Sequence, residues 1–354
     1  MLANASALNS YPIIYHSSSS HLTPRPSDFP TWSCTGPPAP ACAAGGGGNT
    51  TFAGTFIWDV AHHPSEGYLA YLITGDYWFY QTLLDQAAAC YLINGSDSGS
   101  GTSRDIRGVV QTRGEGWCLR TLGMLSAVFP TGDTVASDYQ SYLSNAINTF
   151  NSQPATPVGY VGTFETSTNA YSSTHSVLAP WQEHFLEQSV EFGFDIEPLP
   201  NMTNWTTLMN HVALAPVGIL GPCGVAGSYC GMTQASQYNL QVADAPGATS
   251  PSQFYQDWGT MWTKNFGATS SSTNTLGPAS SQSDDPALAC IGQWGNLFPA
   301  IAYAVEHGAP GASAAWARVT GATNWNSIIT NCVASVPSDV GGWSDTPIWG
   351  IVPR

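Results

Sequence analysis

The sequence predicts an all-α protein, a helical-hairpin (α/α) toroid or incomplete toroid with long loops and disulfides. Three observations predict this class. From Phe56 onward helical segments follow one another with short breaks, the turn Thr-Gly-Asp occurs twice, at 74–76 and 131–133, and the cysteine count of eight is even. Hairpins that recur about every 50 to 60 residues are typical of helical arrays and closed toroids. An irregular helical bundle, in which the turns are alike by chance, is the alternative.

The N-terminal region differs in composition from the rest of the chain. Residues 17–54 are dense in Ser, Pro and Gly and include the run Gly45–Gly48. Such a composition indicates a loop or an arm, not a core element. We therefore divide the chain into an N-terminal arm, residues 1–55, and a helical-hairpin (α/α) toroid-like domain, residues 56–354.

The first two hairpins are predicted from helix start and stop signals. Pro64 suits the first position of a helix that runs to about Ile73, and Asp76 suits the N-cap of a helix from about Tyr77 to Asn94. The second hairpin pairs a helix from about Gly114 to Phe129 with one from about Thr134 to Phe150. Both hairpins therefore share one type of turn.

Two further hairpins are predicted downstream. One comprises helices at about Trp181 to Phe194 and Trp205 to Leu220, and the other comprises helices at about Pro286 to His307 and Ala312 to Thr320. The Ser-, Thr- and Gly-rich stretches Ser152–Ala179 and Ala268–Ser283 are predicted to connect hairpins. Connections of this kind often line the cleft of a helical toroid.

The charge of the chain excludes some partners. Charged residues make up 9% of it, and 8 Lys and Arg against 23 Asp and Glu give a formal charge of −15. This charge repels phosphate backbones and anionic lipid headgroups, so neither nucleic acid nor insertion into a membrane is expected. GxSxG, P-loop, GxGxxG and HExxH motifs are absent from the sequence, and we predict no metal and no cofactor. Self-association is left open.

The cysteines predict local disulfides and an oxidising compartment. Pairing by proximity joins Cys34 with Cys42, Cys90 with Cys118, Cys223 with Cys230, and Cys290 with Cys332. A zinc site would favour CxxC spacing, which does not occur. Disulfides persist outside the cytosol, so we expect an extracellular or periplasmic protein. The first fifteen residues do not resemble a signal peptide, so the signal was removed or the chain is a piece of a longer one.

The densest polar segment, Phe56–Tyr68, leads into the first predicted helix. It contains Trp58, Asp59, His62 and His63, and it ends at a helix N-terminus, where polar and anionic ligands are favoured. Either histidine suits a general base near neutral pH. The alternative to a catalytic role is that Asp59 caps the helix and that a histidine is structural. A zinc site is disfavoured, because the segment lacks the usual His-x-x-x-His spacing.

Three other segments combine charge with aromatic rings. Arg113, Trp117 and Arg120 share one predicted helical face, where arginine suits a carboxylate and tryptophan suits a sugar ring. A buried Arg–Glu pair with Glu115 is the alternative. The remaining candidates are Trp181, Glu183 and His184 at the start of a helix, where the acid also suits the helix dipole, and Trp294 in a later polar and aromatic cluster.

Three motifs carry a family resemblance. WDVAHHPSEGYLAYLITGD, RGEGWCLRTLG and APWQEHFLEQSVEFGF, in that order, resemble a set of uncharacterised bacterial secreted proteins. The helical region of that set is similar to the (α/α) toroids of polysaccharide lyases and six-hairpin glycosidases. The resemblance covers about Trp58 to Phe194 and implies a fold without specifying a reaction.

The resemblance implies catalytic roles for five residues. A lyase would use Arg113 to neutralise a uronate carboxylate, and His63 and Tyr71 to move protons. A glycosidase would use the carboxylates of Asp59 and Glu183. Residues expected to bind substrate are Trp58, His62, Glu115, Trp117, Trp181, His184 and Trp294. We therefore expect a secreted enzyme that cleaves a polysaccharide, more readily as a lyase than as a hydrolase, with a non-enzymatic extracellular binding or assembly protein as the alternative.

Overall fold

The structure is a computed structural model. Most of the residues that it describes are helical. The described residues are 65–93, 112–129, 133, 135–152, 156–161, 174–196, 202–222, 228, 235, 237, 239–248, 250–267, 274–277 and 294–328. Helices hold 69% of them, which confirms a mostly helical protein. The toroid arrangement and the division at residue 55 stay predictions.

The chain forms two compact units. Unit 1 contains the described residues up to Ser152 together with Ser189–Leu208, and unit 2 contains the described residues of Gln153–Gln188 and of Met209 onward. Two helices, Pro180–Ile196 (labelled α5 below) and Met202–Val212 (α6), contribute residues to both units.

Unit 1 is built from helices that pack on their sequence neighbours. They are α1 (Gly67–Thr74), α2 (Tyr77–Ile93), α3 (Thr112–Val128) and α4 (Ala136–Ser152), and each contacts the next. The first predicted turn is present: Gly75 adopts φ 66° and its N–H donates to Tyr71, while the Asp76 carboxylate accepts from the Trp78 N–H. Glycine tolerates this left-handed conformation because it has no Cβ.

Asp133 links the two hairpins of unit 1. Its Oδ1 accepts the N–H of Val135, two residues along the chain and 2.7 Å away, just before α4 begins. Its Oδ2 accepts the hydroxyl of Tyr80 on α2 at 2.6 Å. Residues 131, 132 and 134 of this turn lie outside the described residues.

The predicted disulfide between Cys90 on α2 and Cys118 on α3 has suitable geometry, with the two Cα atoms 5.5 Å apart. Both cysteines are fully buried. The other predicted pairs, formed by Cys34, Cys42, Cys223, Cys230, Cys290 and Cys332, lie outside the described residues.

We expect Cys90→Ser combined with Cys118→Ser to lower the free energy of unfolding by about 3 kcal/mol. The bond closes a loop with a sequence separation of 28 residues, and breaking it returns conformational entropy to the unfolded chain. Urea denaturation with and without reductant measures the effect. Equal stability of the oxidised wild type and the double variant would contradict it.

Unit 2 combines helices with a small sheet. Its helices include α7 (Leu214–Ile219), α8 (Trp258–Phe266), α9 (Gly295–Glu306), α10 (Ala312–Thr320) and α11 (Trp325–Ile328), with a 3-10 turn at Pro251–Gln253. Strands β1 (Ser176–Leu178) and β2 (Leu240–Ala243) pair antiparallel, with Leu178 opposite Leu240. The core collects apolar residues of these elements, among them Tyr160, Leu178, Ile219, Leu240, Met261, Phe298 and Val319.

The structure corrects three sequence predictions of secondary structure. The helix predicted for Trp205 to Leu220 is two helices, because Pro216 cannot donate to the carbonyl of Val212 and its ring crowds that carbonyl. Strand β1 lies inside a stretch that was predicted as a connection, and α8 was not predicted. Among the described helices, none combines the length and the apolar character that a membrane crossing requires.

Candidate functional site

Helix α5 buries an unusual number of polar side chains. It begins at Pro180, as predicted from the preference of proline for the first helical position. In the part that belongs to unit 2, Glu183 and His184 are each 1% exposed and Glu187 is 0% exposed. Ionisable side chains are almost never buried to this degree unless they are paired or serve chemistry.

His184 and Glu187 form a buried pair one helical turn apart. The distance from His184 Nδ1 to Glu187 Oε2 is 2.8 Å. Burial lowers the pKa of His184 to about 3, so its ring is neutral at pH 7. With Nδ1–H donated to the Glu187 carboxylate, Nε2 carries the lone pair, and it has no hydrogen-bond partner among the described residues. An oriented neutral imidazole of this kind can accept a proton.

Tyr160 and Glu183 complete what we call the His184 cluster: His184, Glu187, Glu183 and Tyr160. The Tyr160 ring lies 6.3 Å from the His184 ring, centroid to centroid, and is fully buried. The next residue, Val161, donates its N–H to Glu183 Oε2 at 3.3 Å. The loop that contains Tyr160 and Val161 therefore lies against both the His184 ring and the Glu183 carboxylate.

The surroundings hold this loop and α5 in place. The Thr156 N–H donates to the Tyr160 carbonyl, and the Tyr160 N–H donates back to Thr156 Oγ1, both at 3.0 Å. Gln188 donates to the side chain of Asn296 on α9 at 2.9 Å. These bonds fix the backbone on both sides of the cluster, which favours a constant geometry.

Predicted site residues of unit 1 cluster on α3. Arg120 lies over the ring of Trp117 at 5.4 Å and over that of Phe192 at 4.7 Å, so the guanidinium contacts two aromatic rings. Glu115 is fully buried, and Arg113 is half-buried. On α1, the half-buried Tyr71 ring lies 5.6 Å from that of Tyr80.

The other predicted site residues have different outcomes. Trp58, Asp59, His62 and His63 lie outside the described residues. Trp181 is half-buried in unit 2, beside the cluster residues Glu183 and His184 on α5.

Trp294 requires a correction, because it is a core residue and not a sugar platform. Its ring is 1% exposed and stacks on Phe298 at 5.1 Å. Its indole N–H donates to the carbonyl of Gly277 at 3.1 Å. Both the apolar surface and the polar group of this side chain are therefore used inside the protein.

Sequence reasoning missed Glu187 and Tyr160. Glu187 follows His184 by three residues, a spacing that places two side chains on one helical face, so its signal was present. Tyr160 lies on a loop 24 residues before His184, and no local pattern links the two.

Glu191 is a third buried acid of α5, in the part that belongs to unit 1. Its side chain is 1% exposed, and neither carboxylate oxygen has a hydrogen-bond partner among the described residues. Burial, and next the charge of Asp195, raise the pKa of Glu191 well above that of an ordinary glutamate. The side chain is therefore expected to keep its proton above the pH at which glutamate normally ionises.

We expect Glu191→Gln to stabilise the protein increasingly as the pH rises. The folded state binds the Glu191 proton more tightly than the unfolded state, so wild-type stability is lost as the pH rises from the unfolded pKa towards the folded one. Glutamine has no proton to lose. Urea unfolding at pH 4 and pH 8 measures the difference, and a gap between the two proteins that stays constant with pH would contradict it.

The comparisons with known proteins name no relative: protein-family models, curated proteins and solved structures were searched, and none matches this chain. The resemblance to secreted toroid proteins therefore stays a prediction. Among the described residues, no group of three or more His, Cys, Asp or Glu side chains is placed to hold a metal ion.

Proposed function

We propose that this chain is a secreted enzyme, extracellular or periplasmic, that cleaves a polysaccharide, with elimination favoured over hydrolysis. One observation carries the proposal: a buried neutral imidazole, His184, is oriented by Glu187 across 2.8 Å. A group that abstracts a proton must be unprotonated and fixed in orientation, and this pair meets both requirements. The basicity that burial takes from the imidazole has to return when the groups that cover it open for substrate.

In the proposed reaction, His184 Nε2 removes the proton from the carbon next to the carboxylate of a uronic acid residue. The electron pair of that C–H bond forms a carbon–carbon double bond, and the bond to the glycosidic oxygen breaks. That oxygen takes up a proton from the imidazolium or from the Tyr160 hydroxyl. Glu187 holds the imidazole in orientation through its contact with Nδ1 at 2.8 Å.

Burial of the cluster sets a requirement for this mechanism. His184 is 1% exposed, so the groups that cover Nε2 have to move when substrate binds. Exclusion of water from the closed site would in turn strengthen the electrostatic stabilisation of the charged intermediate. The sequence-based assignment of the lyase roles to His63, Tyr71 and Arg113 remains a separate prediction.

A screen of polysaccharides tests the proposal. The purified chain is incubated with uronate-containing and neutral polysaccharides, and both ultraviolet absorbance of unsaturated product and new reducing ends are measured. Absorbance together with reducing ends supports elimination. Reducing ends without absorbance would replace elimination by hydrolysis with Glu183 as a candidate acid, and no product on any substrate would overturn the enzymatic proposal.

A second candidate is an extracellular assembly protein that self-associates. The exposed large apolar side chains of the described residues, apart from Leu214, all lie on the α1–α2 hairpin, namely Leu69, Leu72, Ile73, Tyr77 and Trp78. A concentrated apolar face of this kind is typical of an interface, and a two-fold contact would cover it on both copies.

Sedimentation tests this second candidate. The wild type should form dimers as its concentration rises, and Leu72→Ser with Ile73→Ser should remain monomeric. Leu214→Ser is the matched control, because it removes an exposed leucine from unit 2. A wild type that stays monomeric at every concentration would exclude self-association through the α1–α2 hairpin.

A further inference from the structure

A groove runs along the exposed side of α8 in unit 2. It encloses about 480 Å³, is open to solvent, and is lined by Ser228, Asp257, Thr260, Trp262, Thr263 and Lys264. This volume lies in the range of sites that hold small ligands. Lys264 is the single lysine of the whole chain.

We propose that this groove binds an uncharged, hydroxyl-rich sugar residue of the polysaccharide. Two threonine hydroxyls of the groove are arranged as acceptors. The Thr260 hydroxyl donates to Asp257 Oδ2 at 2.8 Å, and the Thr263 hydroxyl donates to the Gly259 carbonyl at 2.9 Å. Both hydroxyl protons are thus used inside the protein, and the threonine oxygens retain lone pairs for hydroxyl groups of a ligand.

Charge determines which sugar fits. Lys264 Nζ donates to both carboxylate oxygens of Asp244, at 2.8 and 2.7 Å, and Tyr255 donates to the same carboxylate at 2.8 Å. The ion pair neutralises the lysine, while the carboxylate of Asp257 stays in the groove. An acidic sugar bound here would face the carboxylate of Asp257, so a neutral sugar is favoured in this groove.

Helix α8, which carries the groove, contacts the His184 cluster through a residue next to the groove. Trp258, the first residue of α8, lies 5.7 Å from the Tyr160 ring, and Tyr160 lies 6.3 Å from His184. The floor of the groove is rigid, since Trp262 is nearly buried and packs on Phe266 at 4.8 Å. The inference rests on the proposed function in one respect, that the bound sugar belongs to the polysaccharide being cleaved.

The single lysine makes the groove directly observable. Reductive methylation with ¹³C-formaldehyde labels Lys264 and the N-terminal amine, and it preserves the positive charge of both. The labelled full chain carrying His184→Ala is titrated with neutral xylo-, manno-, cello- and galacto-oligosaccharides and with oligouronates, and followed by NMR. A saturable shift of the Lys264 signal with at least one neutral series, without a shift of the N-terminal signal, is the expected result.

Two variants sharpen the test. Thr260→Val with Thr263→Val should weaken the binding about tenfold or more, because two acceptors are lost. Thr207→Val is the matched control, since this exposed helical threonine also donates its hydroxyl to a carbonyl four residues earlier and lies outside the groove.

Each outcome separates this inference from the proposed function. A shift with oligouronates alone would overturn the choice of a neutral sugar, and no shift with any series would overturn the groove as a binding site. Because the titration uses a His184→Ala chain, it does not depend on cleavage. A silent polysaccharide screen together with a Lys264 shift would remove the enzymatic proposal and keep the sugar site.

Discussion

His184→Ala should lower kcat/KM on the cleaved polysaccharide by about 10²- to 10⁴-fold, the usual contribution of a positioned general base. The loss follows from the geometry, because the His184 imidazole is held by a buried carboxylate at 2.8 Å from its Nδ1. Initial rates on the substrate found by the screen measure the effect. His184→Gln serves as a second variant that removes the base and retains a polar side chain of similar size.

The control for this prediction is His307→Ala. His307 lies in the same unit at the end of α9, where its ring stacks on Tyr303 at 6.3 Å. The His307→Ala variant should retain activity close to that of the wild type. Circular dichroism of every variant separates loss of chemistry from loss of folding. A folded His184→Gln protein with wild-type activity would show that the imidazole is a structural group.

In the proposed mechanism, Glu187 acts through His184 as a positioning residue. Because burial lowers the pKa of His184 to about 3, the acidic limb of kcat/KM that belongs to this base should lie well below pH 6.5 in the wild type. Glu187→Gln should lower kcat and alter that limb, whereas a purely structural role would leave the pH profile unchanged. An acidic limb near pH 6.5 would argue against a buried base.

Gly67→Ala should lower the free energy of unfolding by about 1–3 kcal/mol, the usual cost of forcing extra atoms into a packed contact. A Cβ at this position would lie 2.3 Å from the carbonyl oxygen of Phe79 and 3.0 Å from the backbone nitrogen of Leu83. Both atoms belong to the α2 backbone, so they cannot move aside as a flexible side chain would. The substitution therefore has to separate α1 from α2.

Gly123→Ala is the matched control for this stability prediction. Gly123 is also a helical glycine of unit 1, but its added Cβ would meet Gly193 Cα at 3.5 Å, an ordinary contact. Alanine is also the better helix former, so this change should be neutral or stabilising. Thermal and urea unfolding compare the two variants, and an equal loss in both would contradict the argument from the α1–α2 contact.

Local signals in the sequence were sufficient for most helices. Ala312–Thr320 has the predicted bounds, and the turn through Gly75 and Asp76 has the predicted form, because caps and left-handed glycines act within a few residues. The break between α6 and α7 also has a local signal, Pro216, although the sequence analysis predicts one continuous helix there. Pairing of β1 with β2 had no such signal, since the two strands are about 60 residues apart and three to four residues long.

The candidate site was only partly predictable for the same reason. His184 and Glu183 were selected because they stand at a helix start, but their burial depends on a loop and on α9, which come from other parts of the chain. Trp294 was assigned to a surface by its polar neighbours in sequence, whereas its neighbours in space are Phe298 and the carbonyl of Gly277.

The sequence by itself determined the helical class, the form of the first hairpin turn and the start of α5 at Pro180, because each depends on contacts within one or two helical turns. Only the tertiary structure decided which polar side chains of α5 are removed from water. Removal from water lowers the pKa of His184 and raises that of Glu191, since the cost of a buried charge depends on what surrounds it and not on its place in the chain.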